Sequence, residues 1–316
     1  MTRYVGGRIA QALLVLWGAY TVTYAILYLL PGDPLALMLT ASGVEIDTLS
    51  PAQVAQARAY YGLDQGALRQ YFALLWNILH GDLGQSLSRN APVRQLLEER
   101  LPQTLQLAGL AVVLSIVGGT GFAWFTATLR SPRVRNLLRR APAIGFSIPV
   151  FWMGLLLIQL FAFDLGWLPS TGNAGWRSLV LPAVTLAIPS AAAYAQVLGR
   201  SFHDVWREPH IATAFAKGLT RGAVQRRHVL RNAALPALTL VGLQVGHTVS
   251  GAVIVETVFA RVGIGRLAQE AVLRQDIPVV LAVVVISAAA FVVVNLGVDL
   301  LYPALDPRVA HAPKVT

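Results

Sequence analysis

The stretch EPHIATAFAKGLTRGAVQRRHVLRNAALP, Glu208 to Pro236, decides how the chain is read. It carries five Lys/Arg against one carboxylate, yet it lies between two long apolar runs. Pro209 suits the first turn of a helix, and HIATAFAKG ends at Gly218, a residue suited to the left-handed position past a helix end. Thr220 is placed to cap a second helix, RGAVQRRHVLRNAAL, running toward Pro236. The spacing predicts a helix–turn–helix whose first helix exposes small residues, Ala212, Thr213, Ala214 and Ala216, followed by basic groups. Small residues permit close approach of another protein's surface. A solvated basic loop accounts for the charge, but not for the small-residue helix, the glycine at the turn or the length.

The flanks explain the charge. Of 316 residues, 55% are hydrophobic and 13% charged, with a mean hydropathy of +0.59. A soluble domain carries about 25% charged residues, so a membrane protein is expected. Six charge-free runs are each long enough to cross a bilayer, which takes about 20 apolar residues. They are Ile9 to Gly32, Leu101 to Leu129, Ala141 to Phe163, Ser178 to Gly199, Asn232 to Val255 and Ile277 to Val298. The first run is expected to be a retained helix rather than a cleaved leader, because no small-x-small site precedes Pro31. Both ends of the chain, the connection 130–140 and the stretch 200–231 hold sixteen of the 25 Lys/Arg, against three acids. The positive-inside rule therefore puts both termini and the basic stretch in the cytoplasm. The net charge of +10 is then topological, and no nucleic-acid partner is expected.

Residues 33–100 form the long outside segment, and they read as short helices rather than a separate domain. Ser50 and Pro51 begin one helix that Gly62 ends. A second runs from Asp64 to Gly81 with a Leu68, Tyr71, Phe72, Leu75, Leu79 stripe, and Pro92 opens a third. These helices are expected to lie on the outer interface or to cap the bundle. The chain has no cysteine, only two lysines (Lys217 and Lys314) and no phosphate-cradling loop, and its six histidines show no metal spacing. No catalytic residue, metal site or bound cofactor is expected, so uphill transport would need a partner or an ion gradient. Glu256 and Asp299 sit at span ends, where an interfacial or structural pairing role is expected. Gln159, Gln196, Gln244, His247 and Asn295 are polar groups at membrane depth that need partners or water. Gln244 and His247, three apart, share one helix face, the best candidate for a translocation path, with Glu256 nearby on the same helix.

The pattern ATAFAKGL followed by RRHVLRNAALP resembles the cytoplasmic coupling (EAA) loop of ATP-binding-cassette importer permeases, with Gly218 and Leu235–Pro236 at the family's glycine and Leu-Pro positions. LLPGDP at 29–34, YGLDQ at 61–65, HGDLGQSL at 80–87, SIPVFWMGLLL at 147–157, LPAVTLAIP at 181–189, GAVIVETVFARVGIGRLAQEAV at 251–272 and VDLLYPALDPR at 298–308 extend the resemblance over nearly the whole chain, toward the dipeptide/oligopeptide/nickel subfamily. The resemblance implies an all-α membrane protein of six transmembrane helices with the type I ABC importer permease (MetI-like) fold. It would comprise an N-terminal helix at 1–32, the outside segment 33–100, a five-helix core at 101–303 with the coupling loop at about 203–232, and a cytoplasmic tail at 304–316. It also implies a bacterial inner-membrane location, a second homologous permease, two ATPase subunits that use ATP and magnesium, and an extracytoplasmic substrate-binding protein. Ala212, Thr213, Ala214, Lys217, Gly218 and Arg227 would touch the ATPase. Many family loops carry a charge where Ala212 stands, and subfamily members often carry Arg where Phe215 stands, which weights the contact toward Lys217 and Arg227.

Short peptides are the preferred cargo, with nickel or a metal–metallophore complex as the alternative. The short connection Asp164 to Arg177 resembles nickel-type members, while the absence of cysteine and clustered histidine argues against direct metal ligation. An ion-coupled carrier predicts mid-membrane charges and no coupling loop, the reverse of what the sequence contains.

Overall fold

A computed structural model describes residues 2–29, 35, 39, 49–60, 66–86, 88–129 and 131–305. The described chain is almost wholly helical. In order it forms α1 (Thr2–Leu29), α2 (Pro51–Tyr60), α3 (Ala67–Leu79), a hairpin of β1 (Gln85–Ser86) and β2 (Ala91–Pro92), and α4 (Val93–Thr128). Then follow α5 (Pro132–Leu138), α6 (Ala141–Ser147), α7 (Val150–Leu157) with a π-helical turn (Ile158–Asp164), and α8 (Arg177–Val205). α9 (Pro209–Ala216), α10 (Arg221–Val224) with a second π-helical turn (Gln225–Val229), α11 (Leu230–Val258), α12 (Ile264–Leu273) and α13 (Ile277–Leu305) complete it. The expectations on LLPGDP beyond Leu29, on YGLDQ and on most of the tail 304–316 lie outside the described residues.

Contacts divide the chain into two compact units: Met1–Thr104 with Val262–Val292, and Leu105–Arg261 with Val293–Thr316. In the first, Val93, Leu96 and Leu97 of α4 pack with Ile264, Leu267 and Ala271 of α12 and with Val279, Val280 and Val283 of α13. Thr104 Oγ1 accepts the Ile264 N–H at 2.8 Å, satisfying a donor at the start of α12. Asp276, buried ahead of α13, accepts from Ser86 Oγ (2.6 Å), Ser88 Oγ (2.8 Å) and the Ser88 N–H (3.1 Å), so one carboxylate ties the hairpin to the α12–α13 turn. Ser50 and Gln53 form the reciprocal box expected of an N-cap at α2: the Ser50 N–H donates to Gln53 Oε1 (2.8 Å) and the Gln53 N–H to Ser50 Oγ (3.4 Å).

In the second unit α8 supplies both cores. Leu181, Ala183 and Leu186 pack with Leu107, Ala111, Ile158, Val255 and Phe259. Tyr194, Leu198, Phe202 and Val205 pack with Ile211, Ala214, Val224, Val229 and Ala233. α4 meets α8 at Gly119, where a Cβ would stand 2.5 Å from Tyr194 Cβ and 2.6 Å from the Ala191 carbonyl, so only glycine fits. Pro182 and Pro189 lie inside an unbroken α8, and Pro236 inside α11, as expected of membrane helices.

Among the described residues, four helices are long and apolar enough to cross a membrane: Gly6–Leu27, Val93–Thr128, Arg177–Val205 and Ile277–Gly297. The run Ala141 to Phe163, expected as one span, is broken. The segments Pro132–Ser147 and Val150–Asp164 meet at a bend of 100°. Pro149 has no N–H to donate and pushes the residue before it out of the helical region, and Ile148 accordingly sits at ψ 125°. α11, the counterpart of the fifth expected span, is 29 residues long.

Candidate functional site

The hairpin forms as its sequence predicts. Glu208 precedes α9 in an extended conformation, and Pro209 opens the helix. At the other end Gly218 takes φ +80°, its N–H donates to Phe215 O (2.9 Å), and the Leu219 N–H donates to Ala214 O (3.3 Å). This pair of bonds is the Schellman closure, which needs a residue tolerant of positive φ. Thr220 Oγ1 then accepts the Ala223 N–H (3.4 Å) and starts α10. The second helix runs through a π-helical turn into α11 without a stop.

One expectation about this helix is corrected. Ala214 is not on its exposed face: it is 4% exposed and belongs with Ile211, three residues earlier, to the core that contains Phe202, Val205 and Val224. Helical spacing puts 211 and 214 on one side, and the small size of alanine suited either side. Ala212, Thr213, Ala216, Lys217, Gly218 and Arg227 are exposed, as expected. Sequence reading missed the aromatic shelf beside them. Phe215 is partly exposed and stacks on Trp206 (centroids 6.0 Å apart), and the Arg221 guanidinium lies 5.4 Å above the Trp206 ring. His210 faces Glu208 at 2.9 Å and the Asn232 amide at 3.4 Å, fastening the start of α9 to α11.

The second candidate is a cavity of about 250 Å³ lined by α6, α7, α8 and α11. Gln244 and His247 both reach it, together with Thr248 and Gly251 one turn on, so the shared face expected of α11 is present. Gln244 is 5% exposed, and neither its amide nitrogen nor its oxygen has a hydrogen-bond partner among the described residues. The Tyr194 hydroxyl, on the facing wall of α8, is likewise buried without a partner. Burying such groups unpaired costs about 1–3 kcal/mol each, which marks a place for water or a polar guest. Tyr194 was not singled out from sequence, although a tyrosine inside an apolar span is itself a signal. Leu186, Pro189, Leu240 and Phe146 make the rest of the wall apolar, and no Lys, Arg, Asp or Glu lines it.

Glu256 does not join this surface. It is 1% exposed and lies beside Arg261, also buried, whose backbone N–H donates to the Glu256 carbonyl (2.7 Å). Arg261 Nη1 also donates to the carbonyls of Gly172 and Ser178, each at 3.0 Å. Burial lowers the Arg261 pKa from its ordinary value, and the negative charge of Glu256 opposes that. The carboxylate balances a buried guanidinium that clamps the connection 164–177, the structural pairing expected of a charge at a span end rather than a place on the path. Gln159, another polar group of the apolar runs, donates to Asp164 Oδ1 at 2.8 Å.

Two family descriptions match the chain: residues 119–311 the binding-protein-dependent transport system inner membrane component, and residues 1–108 the N-terminal part of such membrane components. A peptide transport system permease protein of Brucella abortus (strain 2308) is 36% identical over 98% of this chain and 100% of its own length. The glutathione transport system permease protein GsiC of Escherichia coli (strain K12) is 35% identical over 98% of this chain and all of its own. Among solved structures, the inward-facing MetNI methionine ABC transporter aligns with a TM-score of 0.56 at 15% identity, covering 67% of this chain and 96% of that one, a likeness of fold. With apolar spanning helices, an ordered hairpin and matches along nearly its full length, the chain belongs to the binding-protein-dependent transport system inner membrane component family, the membrane permeases of ABC importers.

Proposed function

We propose that this chain forms half of the translocation path of an ATP-driven importer of short peptides. The observation that carries the reading is the Gln244 amide, buried and without a partner among the described residues, beside a cavity without fixed charge. A carboxamide offers one acceptor and two donors, which matches the peptide bond of a passing substrate. The names of the peptide and glutathione relatives support the same cargo class. In this reading the chain crosses the membrane six times in a type I (MetI-like) arrangement, with the bent α6–α7 pair as the third crossing. Both termini and the hairpin are cytoplasmic, and residues 33–100 face outward. A second homologous permease completes the path, a binding protein delivers the peptide, and two partner ATPases bind and hydrolyse ATP with magnesium. The exposed residues Ala212, Thr213, Ala216, Lys217 and Gly218 at α9, with Arg227, dock into an ATPase groove and convert nucleotide-driven closure into movement of the helices, a two-state element biased from two sites.

The test is uptake of a labelled dipeptide by cells expressing the complete transporter. Gln244→Leu keeps the volume and removes the polar atoms. It should lower the transport rate by about an order of magnitude, in line with one lost hydrogen bond of about 1–1.5 kcal/mol. The ATPases should still co-purify. Unchanged peptide uptake, or uptake of nickel with no response to peptide, sinks the reading.

A further inference from the structure

The second unit holds another cavity, of about 210 Å³, unrelated to the path. It is lined by Ala127 at the end of α4, Arg135 and Arg139 of the α5 segment, Phe202, His203 and Trp206 of the α8 end, and Arg221 of α10. Three guanidinium groups converge on it, and no carboxylate lines it. Among the described residues none of the three arginine side chains has an ion-pair partner. Arg221 rests on the Trp206 ring, and the Nε of Arg135 is buried with no acceptor among the described residues. Of the acids closest in sequence to the lining residues, Asp204 does not line the cavity and Glu208 is engaged by His210. Like charges gathered without a counter-ion repel, and a buried N–H without an acceptor is costly, so the arrangement is complete only with an anion in place. Its position is informative. Ala127 belongs to the last turn of an apolar helix, Phe202 and Trp206 give the cavity an apolar wall, and the arginines belong to the basic connections 130–140 and 200–231. A site that is apolar on one side and cationic on the other, at the end of a spanning helix, has the chemistry of the bilayer's headgroup layer.

We propose that this cavity binds a phosphate-bearing anion, held by Arg135, Arg139 and Arg221, and that the phosphate is that of an anionic phospholipid. The guanidinium fork matches phosphate oxygens, and the Trp206 face orients the Arg221 fork toward the site. Filling the site joins α5 to the second helix of the hairpin, so lipid composition bears on the hairpin's order.

The experiment uses the full-length chain in detergent, with short-chain phosphatidylglycerol, phosphatidylcholine of the same chain length and inorganic phosphate as probes. Bound lipid is read by native mass spectrometry. Phosphatidylglycerol should be retained in preference to phosphatidylcholine, and each pocket arginine changed to glutamine should weaken retention about fivefold, the effect of one basic residue at an anionic surface. Arg133→Gln and Arg226→Gln, which remove the same charge outside the cavity, should leave retention within about twofold. Arg139→Lys should restore part of what Arg139→Gln loses, because charge returns without the fork. Displacement by millimolar inorganic phosphate with no phospholipid preference keeps the anion site and assigns it to a soluble ligand. Equal retention of both phospholipids with no response to phosphate overturns the proposal, as does equal loss from the pocket and control variants. If the Arg135→Gln change does not yield folded protein, the Arg139→Gln change, at an exposed residue, supplies the reading.

Discussion

Ala214 and Gly218 lie four residues apart in one hairpin and obey different constraints. At Gly218 a Cβ would meet nothing within 4 Å, so the cost of any side chain there is the backbone's alone. Gly218→Val should destabilise the α9 closure by roughly 1 kcal/mol or more, whereas Gly218→Asn should cost less because asparagine tolerates positive φ. Ala214 is walled in by the core, so Ala214→Trp should overpack it and cost about 1–3 kcal/mol, lowering the yield of folded protein. The surface is probed instead at Ala212. Ala212→Trp should leave the melting temperature of the chain unchanged and reduce co-purification of the ATPases. Lys217→Ala and Arg227→Ala should weaken it by less, because rim charges contribute less than packed contacts. If Ala212→Trp assembles and transports fully, α9 is no docking surface. The glycine was legible from sequence because only one geometry ends a helix that way. The alanine was not, because its size fits a core and a contact face alike. Glu256 makes the structural pairing expected at a span end and does not line the path; its partner was not legible, because Arg261 lies in a turn and no spacing marks that turn as folding back onto Gly172 and Ser178.

Among the elements, α3 shows how far hydrophobic spacing reaches. The expected stripe mixed two faces. Tyr71, Leu74, Leu75 and Ile78 pack with Tyr20, Tyr24 and Leu281. Leu68, Phe72, Trp76 and Leu79 are exposed, and Arg69, Asn77 and His80 make a third, polar strip. The Tyr20 hydroxyl donates to Tyr71 O (2.7 Å) and that of Tyr24 to Ala67 O (2.8 Å). At 1.5 Å per residue these tyrosines stand roughly 18 and 24 Å along α1 from Arg8, within the thickness of a hydrocarbon core of about 30 Å. Val22 and Ile26, on the same turns of α1, are exposed and apolar. The expected outcome is that α3 lies in the outer leaflet with its exposed apolar face toward acyl chains. The chain has no cysteine, so spin labels can be introduced singly. Labels at 68, 72 and 79 should relax more with oxygen than with a water-soluble nickel chelate, and labels at 69 and 77 the reverse. Protection of the apolar face from both reagents would instead mean that another protein covers it. A tighter packing constraint sits between α4 and α8. Gly119→Val must displace the Ala191 carbonyl and should lower the thermal stability by at least 1–3 kcal/mol. Runs of small residues in the sequence were too common to single that glycine out.

At the scale of the whole molecule, four of the six expected runs fall in helices long and apolar enough to span, and they were legible because charge and hydrophobicity mark them residue by residue. The bend at Pro149 was not, because helices in membranes tolerate Pro182, Pro189 and Pro236 without breaking. The difference bears on topology. The bent pair Pro132–Ser147 and Val150–Asp164 either crosses the bilayer or dips in and returns, and the two cases change the parity of every later segment. With crossing, Asn77 and Thr171 lie outside, and Arg133 and Arg226 inside. With return, Thr171 shares the side of Arg133, and Arg226 moves to the side of Asn77. The charge distribution favours crossing: the connections 130–140 and 200–231 are both strongly basic, and the positive-inside rule places both in the cytoplasm, which requires an even number of crossings between them. The pair and α8 together supply two. Single cysteines at positions 77, 133, 171 and 226 decide it in whole cells treated with a membrane-impermeant maleimide. The expected pattern is labelling at 77 and 171 before permeabilisation and at 133 and 226 only after it. Labelling of 226 from outside with 171 protected would make the pair re-entrant, put the hairpin beyond the reach of any cytoplasmic ATPase, and remove the coupling mechanism along with the topology.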